Sequence, residues 1–289
     1  MRSLLFILII ASQLLFVSCS NKFDGKDGLK TVYFPGSLIV EQTIEYRDGT
    51  KNGAFKEFYR NGQLKLSQSF VKDTLTDSSL AYYENGNLKS LQYLKNGKRE
   101  GTWKKFNEQG KVVEETQYKD NLIDGFAIKY TYRSLRPLQK WHYKHGLKDG
   151  KQEFFHQNGN PMAVVYFSDN HPCMGTEEWN EQGEKINNDF TISTREENTV
   201  LVNNKLRFHI TLSQAKDDDV VQVISDKDAD SCPKALYNVL GEKGEFIVEY
   251  TVPRGGFVME QLKLLAIRKT AMGNRFMKTK TISVAADNY

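Results

Sequence analysis

Residues 94–112 read LKNGKREGTWKKFNEQGKV, and this stretch contains the unit from which half of the chain is built. Counted from Leu94, Gly101 follows after seven residues, Phe106 after twelve and Gly110 after sixteen. The Asn-Gly pair at 96–97 is a strong signal for a tight hairpin turn. The stretch therefore predicts short strands joined by turns rather than a helix.

The same spacing recurs about every 24 residues, with units that begin at Tyr46, Phe70, Leu94, Tyr118 and Tyr143 and a decayed copy at Phe167. The aromatic position after the first glycine is filled six times at spacings of 24, 24, 24, 25 and 24 residues, by Phe58, Tyr82, Phe106, Tyr130, Phe155 and Trp179. One hairpin cannot bury its aromatic face alone, so neighbouring units are expected to stack into an elongated antiparallel sheet. The recurring aromatics are then a ladder on the packed face, and a row of ligand-binding aromatics is the alternative.

This pattern resembles the bacterial variant of the MORN repeat over residues 46–190. The resemblance implies a ribbon of β-hairpins and a scaffolding or partner-binding role. Some bacterial members are labelled antitoxin-like, which these residues neither support nor exclude. Asp77 and Ser134 replace repeat glycines, so irregular turns are expected in the second and fourth units. The ribbon is predicted to cover residues 31–190, with residues 33–38 as a half-repeat cap.

The period stops after Phe190, and the last hundred residues show strand alternation instead. Apolar and polar residues alternate in two clear runs, at Leu206, Phe208, Ile210 and Leu212, and at Phe246, Val248, Tyr250 and Val252. About seven short strands over this length predict an Ig-like or fibronectin-like β-sandwich at 191–289. The predicted fold class is therefore all-β, an elongated antiparallel hairpin ribbon followed by a sandwich.

The N-terminus predicts an export signal. Arg2 precedes an apolar run that ends near Val17, and this run is too short to span a bilayer. Residues 16–19, Phe-Val-Ser-Cys, resemble a bacterial lipoprotein lipobox, so residues 1–18 are predicted as the signal peptide and Cys19 as the lipid attachment site. An ordinary signal peptide that contains a cysteine is the alternative. Residues 19–30 are polar and predicted to be a flexible tether. The predicted location is the cell envelope, lipid-anchored to the outer membrane.

Composition and motifs argue against several classes of function. A net charge of +4 without a basic domain disfavours nucleic-acid binding. No nucleophile elbow, dinucleotide fingerprint or zinc-protease motif is present, so we predict a non-enzyme with no catalytic residue and no cofactor. A hydrolase would need two carboxylates facing each other across a cleft. The nearby residues His142, His145, His156, His171 and Cys173 fall at unrelated repeat positions, and we predict no metal site there.

Two features stay open at the level of sequence. Asp226, Asp228 and Asp230 are spaced as in the start of a calcium loop, but Ser231 and Tyr237 stand where glycine and glutamate are expected, which favours a solvated acidic loop. Cys173 and Cys232 fall in the two predicted domains, and a disulfide between them would join the domains.

The fourth unit contains the candidate partner-binding residues. No acidic residue lies between Asp124 and Asp149, whereas basic residues and aromatics are interleaved there. The predicted contact set is Lys129, Arg133, Arg136, Lys140, Trp141 and Lys144. Arginine and aromatic side chains together suit a protein or an anionic envelope component. A solvated basic face is the alternative.

These observations predict a non-enzymatic, membrane-anchored lipoprotein whose repeat scaffold binds a protein or an envelope surface. The alternative function is an antitoxin-like or immunity protein that neutralises a specific toxin. The identity of the bound partner discriminates between the two.

Overall fold

The computed structural model describes residues 23–225, 231–242 and 244–289, and this part of the chain is built almost entirely from antiparallel strands. It confirms the predicted all-β class, with a hairpin ribbon followed by a sandwich. The predicted signal peptide, Cys19 and the triplet Asp226, Asp228 and Asp230 lie outside the described residues.

The ribbon is one 15-stranded sheet in which strands pair in chain order. The two-residue strands β7 and β12 flank the main path, beside β6 and β11. The strands are β1 Gly28–Tyr33, β2 Val40–Arg47, β3 Thr50–Phe58, β4 Leu64–Val71, β5 Thr74–Tyr82, β6 Leu88–Lys95, β7 Lys98–Arg99, β8 Gly101–Phe106, β9 Val112–Lys119, β10 Leu122–Tyr130, β11 Pro137–Lys144, β12 Leu147–Lys148, β13 Gly150–Phe155, β14 Pro161–Ser168 and β15 His171–Glu178.

The N-terminal edge of the sheet begins earlier than the sequence suggests. Strand β1 starts at Gly28, so residues 28–30 of the predicted tether are part of the sheet. The ring of Phe23 packs against Tyr46, with 5.2 Å between centroids. The end of the predicted tether is therefore held by the aromatic contact of Phe23 and by the backbone pairing of β1.

The six recurring aromatics are half-buried, as expected of ladder residues; five lie at strand ends, and Trp179 follows the end of β15 and forms an isolated bridge with Lys185. Each of the first five sits opposite the first residue of the next strand, where the register shifts by one residue, in the pairs Phe58–Leu64, Tyr82–Leu88, Phe106–Val112, Tyr130–Pro137 and Phe155–Pro161. The repeat period therefore follows from one aromatic and one register shift for each hairpin.

The two replaced glycines behave differently. Asp77 has φ 66°, a left-handed conformation that Asp tolerates better than most residues, so the second unit keeps the backbone geometry of a glycine. The fourth unit is irregular, as predicted. There the left-handed residue moves to Leu135, with φ 54°, and Arg136 N donates to Thr131 Oγ1 at 3.0 Å across the longer turn.

The C-terminal domain is a sandwich of two four-stranded sheets with the orders β16-β17-β21-β20 and β19-β18-β22-β23. Its elements are β16 Ile192–Thr199, α1 Val200–Asn203, β17 Lys205–Leu212, β18 Val220–Ile224, β19 Ala235–Val239, β20 Gly241–Glu242, β21 Glu245–Thr251, β22 Phe257–Lys269 and β23 Arg275–Asp287. In chain order these strands occupy the positions of the A-B-E-D and C′-C-F-G sheets of an Ig-like fold. The core lies between the sheets, and Leu206, Ile210 and Leu264 in it have no exposed surface.

Candidate functional site

The strand register separates the predicted contact residues of the fourth unit. Lys129 of β10 pairs with Gln139 of β11, and the next pair along the two strands is Ile128 with Lys140. Because successive side chains of a strand point to opposite faces, Lys129 and Trp141 lie on one face of the ribbon and Lys140 lies on the other.

The remaining members of the set lie at the ribbon edges. Arg133 and Arg136 are exposed in the turn before β11, and the Arg136 guanidinium donates to the carbonyl of Asn158. Lys144 lies at the other end of β11, and the ends of an eight-residue strand are about 23 Å apart.

The register therefore divides these six residues between the two faces and the edges of the ribbon, and their role in binding a partner stays a prediction. Charges that are close in sequence alternate between faces once they are on strands. Lys140 is also engaged, with Nζ 3.6 Å from Glu153 Oε2 and 5.4 Å from the centroid of the Phe126 ring.

The face that carries Trp141 contains a trough of about 580 Å³ across the middle of the ribbon. One row of its lining crosses strands β8 to β11 in the order Trp103, Thr116, Ala127 and Trp141. Thr116 and Ala127 are buried and small, whereas the two indoles are half-buried. Three strand spacings separate the indoles, about 14 Å. The two tryptophans therefore flank a floor of small side chains in the part of the trough that crosses β8 to β11, and Trp141 is the end wall of the trough on the β11 side.

A second row forms the side wall of the trough, with Leu94, Arg99, Tyr118, Ile123 and Tyr143. The guanidinium carbon of Arg99 lies 5.1 Å from the centroid of the Tyr118 ring, and its Nη1 donates to the Tyr118 hydroxyl at 3.3 Å. Burial raises the pKa of the Tyr143 hydroxyl above its usual value. This wall presents flat apolar faces with a fixed positive charge.

The cation of this wall has equivalents in alternate repeats, which the sequence interpretation missed. Lys51 Nζ lies 5.3 Å from the centroid of Phe70, and Lys148 Nζ lies 5.2 Å from that of Phe167. Lys51, Arg99 and Lys148 each stand two residues before a repeat glycine. That spacing was a visible signal, but only the register shows that each cation stacks on the aromatic of the next unit.

The polar residues of the trough are Ser79, Ser90, Gln92 and Glu114. Together with the indoles and phenols they suit stacking and hydrogen bonding along an elongated ligand. The continuous sheet holds these side chains in a fixed register.

The histidines have separate contacts. His142 Nδ1 lies 2.8 Å from the Asp149 carbonyl oxygen, and His156 Nε2 lies 2.9 Å from that of Trp179. His145 Nδ1 lies 3.1 Å from Asp124 Oδ2, and His171 is exposed. In residues 23–225, 231–242 and 244–289, no three His, Cys, Asp or Glu side chains are grouped to hold a metal ion.

The ribbon and the sandwich are joined by a disulfide between Cys173 and Cys232. Beside it, Glu178 is buried at 1% exposure and accepts hydrogen bonds from Thr270 Oγ1 and Asn274 Nδ2, both at 2.7 Å, and from Asn188 Nδ2 at 2.8 Å. These contacts tie the last ribbon strand to the loop between β22 and β23. The two domains are therefore joined by a covalent bond and by hydrogen bonds to a buried carboxylate.

Comparison with protein families agrees with the repeat geometry. Residues 51–72, 79–96, 99–120 and 148–169 match the family model described as MORN repeat variant. All four segments lie in the ribbon, and the irregular turn around Leu135 falls between the last two. These four segments are therefore MORN repeats of this variant type, and the ribbon that contains them is a repeat scaffold. A search of curated proteins finds no significant match.

Within the described part of the chain, no helix has the length and apolar character needed to cross a membrane.

Proposed function

We propose that the protein is a non-enzymatic scaffold, held at the cell envelope by a lipid on Cys19, whose trough binds an extended segment of a partner protein. The observation that carries this proposal is the slot between Trp103 and Trp141, with its floor of Thr116 and Ala127. A site of this kind needs little rearrangement to bind, because the neighbouring strands of the sheet hold its walls.

The spacing of the side wall favours one backbone conformation for the partner. Tyr118 and Tyr143 occupy the same position of successive repeats, two strands apart, which is about 9.6 Å. A polyproline II helix completes one turn in three residues, about 9.3 Å. An extended proline-rich segment that crosses the strands therefore meets one aromatic for each turn, and such segments are commonly bound in grooves lined by aromatics.

The trough proposal is tested by titrating the full chain with a proline-rich peptide while tryptophan emission is recorded. We expect emission to shift, and Trp141→Ala to weaken binding at least tenfold because it removes one end wall. Lys140→Ala, one residue away on the other face, is the matched control and should bind normally. Equal binding by both variants contradicts the trough assignment.

A toxin as partner would support the immunity function over an envelope scaffold. Crosslinking at the trough in cells, with identification of the captured chain and its toxicity, separates the two. Loss of the same crosslink in Trp141→Ala is required before either is accepted.

The anchor is tested separately. Cys19→Ala should release the protein from the membrane fraction, because an acyl chain supplies membrane affinity that the substituted residue lacks. A wild-type protein that incorporates no labelled fatty acid, together with a variant that stays in membranes, contradicts the lipoprotein proposal.

A further inference from the structure

Strand β23 is a long edge strand with an unprotected half. It pairs with β22 over thirteen residues without a register shift, and none of the described strands pairs with its other side. Its first half is covered, because Lys278 Nζ donates to the Phe190 carbonyl at 2.9 Å and Lys280 Nζ donates to the Ile192 carbonyl at 2.8 Å. Residues 281–286 read TISVAA and contain no charge, proline or bulge.

The other sheet edges carry the features that prevent strand-to-strand association, including Pro172 and Glu177 on the β15 edge of the ribbon. The β16 edge contains Arg195, Glu196 and Glu197, and β1 contains Lys30 and a register shift after Val32. Edges β19 and β20 are only five and two residues long. A regular, neutral edge without such protection is a template for pairing with another strand. Among the described strands, the second half of β23 is thus the most exposed to this pairing.

A patch of apolar side chains lies beside this edge. Its members, each between 74% and 88% exposed, are Leu201, Val202, Phe257, Met259 and Tyr289. They surround one depression of about 810 Å³, whose lining also includes Ala285 and Ala286 of β23. Five large side chains at this exposure present on the order of 600 Å². A stable interface buries about 800 Å² on each partner, so the patch alone falls short and strand pairing supplies the remainder.

We propose that residues 281–286 of β23 pair antiparallel with the same residues of a second copy of this chain, with the apolar patches of both copies at the interface. A strand that pairs with its own copy forms a closed two-fold contact, in which every donor on one side meets an acceptor on the other. The pairing joins two four-stranded sheets into one of eight strands.

The position of the contact leaves the ribbons free. Phe257 begins β22 at the patch and Lys269 ends it near Glu178 of the ribbon, and thirteen residues of strand span about 40 Å. The dimer would therefore carry its two ribbons at opposite ends, available for partners.

The test is the protein mass of the detergent-solubilised full chain, measured by sedimentation over a hundredfold concentration range and corrected for bound detergent. We expect about twice the 33.2 kDa of one chain at micromolar concentration. Ser283→Lys with Ala285→Lys places charges on the edge and should weaken association at least a hundredfold. Ser193→Lys on the β16 edge is the matched control and should remain dimeric, and all variants should keep the wild-type far-UV circular dichroism spectrum.

Two results overturn the proposal. One is a wild-type chain that is monomeric at every concentration. If this monomer binds neutral vesicles and the double variant Phe257→Ser, Met259→Ser does not, the patch is a lipid contact and not a dimer interface. The other is a dimer that neither the edge variant nor this patch variant weakens, since it then forms elsewhere.

Discussion

The β-sheets of the ribbon and of the sandwich are stabilised by different contacts. In the sandwich, two sheets enclose a core in which Leu206, Ile210 and Leu264 are fully buried. In the ribbon, the buried hydrophobic side chains among the described residues are few and mostly near its C-terminal end: Ile44, Ala127, Ala163, Val164 and Cys173. The ribbon is a single layer, and its stability must come from contacts between successive hairpins.

Polar contacts between neighbouring repeats supply part of that stability. Tyr59 Oη donates to the Tyr82 carbonyl at 2.8 Å, and Tyr83 Oη donates to the Phe106 carbonyl at 2.7 Å, each 23 residues further along the chain. Such contacts link only adjacent units. The comparison teaches that ribbon stability is a sum of nearest-neighbour terms, whereas the sandwich loses stability as a whole when its core is disturbed.

The largest expected effect comes from the disulfide that links the two regions. Cys232→Ser opens a loop between residues separated by 59 positions, for which the chain-entropy model gives about 4 kcal/mol. We expect the variant to unfold at lower denaturant concentration, with the ribbon and sandwich transitions further apart. The measurement is equilibrium unfolding followed by near- and far-UV circular dichroism.

Reductant provides the control for this prediction. It should move the wild type to the midpoint of Cys232→Ser and leave the variant unchanged. Identical midpoints for the oxidised wild type and the variant would show that the bridge does not stabilise the junction.

The second largest expected effect is the difference between a leucine truncation in the sandwich and one in the ribbon. Leu264→Ala in the sandwich removes a fully buried side chain and should lower the free energy of unfolding by about 3 kcal/mol. Leu91→Ala in the ribbon truncates a half-buried side chain of the same type and should cost about 1 kcal/mol. Both are measured by denaturant unfolding. Equal losses would contradict the view that the ribbon lacks a core.

A third prediction compares two repeat glycines of the ribbon. Gly101 has φ 75° and an added Cβ would meet nothing closer than Tyr93 Cδ2 at 3.9 Å, whereas at Gly125, with φ 109°, it would lie 2.0 Å from Gln117 Oε1. That oxygen accepts a hydrogen bond from Phe126 N at 2.9 Å. We expect Gly125→Asp to destabilise the ribbon by about 2 kcal/mol.

Gly101→Asp is the matched variant and should cost less than about 1 kcal/mol, because Asp77 already occupies the equivalent position at φ 66°. Thermal unfolding of the ribbon measures both. If Gly101→Asp were the more damaging variant, the space around the glycine Cα would not be the deciding factor.

Much of the fold is visible in the sequence because it depends on local spacing. The period of Phe58, Tyr82 and Phe106 fixes the hairpins, and the alternation at Leu206, Phe208 and Ile210 fixes a strand that faces a core. Both signals arise from residues that are close in the chain, and periodicity reports them directly.

The site was harder to predict because it depends on register. Lys129 and Lys140 belong to the same basic stretch of the sequence, yet their pairing with Gln139 and Ile128 places them on opposite faces. The pairing of Cys173 with Cys232 stayed open for a related reason, since cysteine spacing does not report the distance between two domains. The burial of the Glu178 carboxylate could not be predicted either, because its partners Thr270 and Asn274 lie in the other domain.

The smallest expected effect is a difference in acid sensitivity. Burial tends to raise the pKa of Asp219, but Arg268 donates to both its carboxylate oxygens, at 2.9 and 2.6 Å, and the net effect lowers the pKa below its usual value. A carboxyl whose pKa is lower in the folded state adds stability above its unfolded pKa, near 3.8, and that stability is lost as pH falls through the folded value. The sandwich should therefore lose on the order of 1 kcal/mol from this group between pH 5 and pH 3.

The measurement is the urea midpoint of the sandwich transition at pH 5 and at pH 3. Asp219→Asn has no carboxyl at this position, so its midpoint should fall less over this interval than that of the wild type, although it is lower at pH 5 because Arg268 is left buried without its partner. Asp218→Asn, on the exposed side of the same loop, is the control and should follow the wild type. If wild type and Asp219→Asn lost stability equally on acidification, the buried pair would not be the acid-sensitive element of the sandwich. The sensitivity would then have to be sought in the exposed ion pairs that both regions of the molecule share.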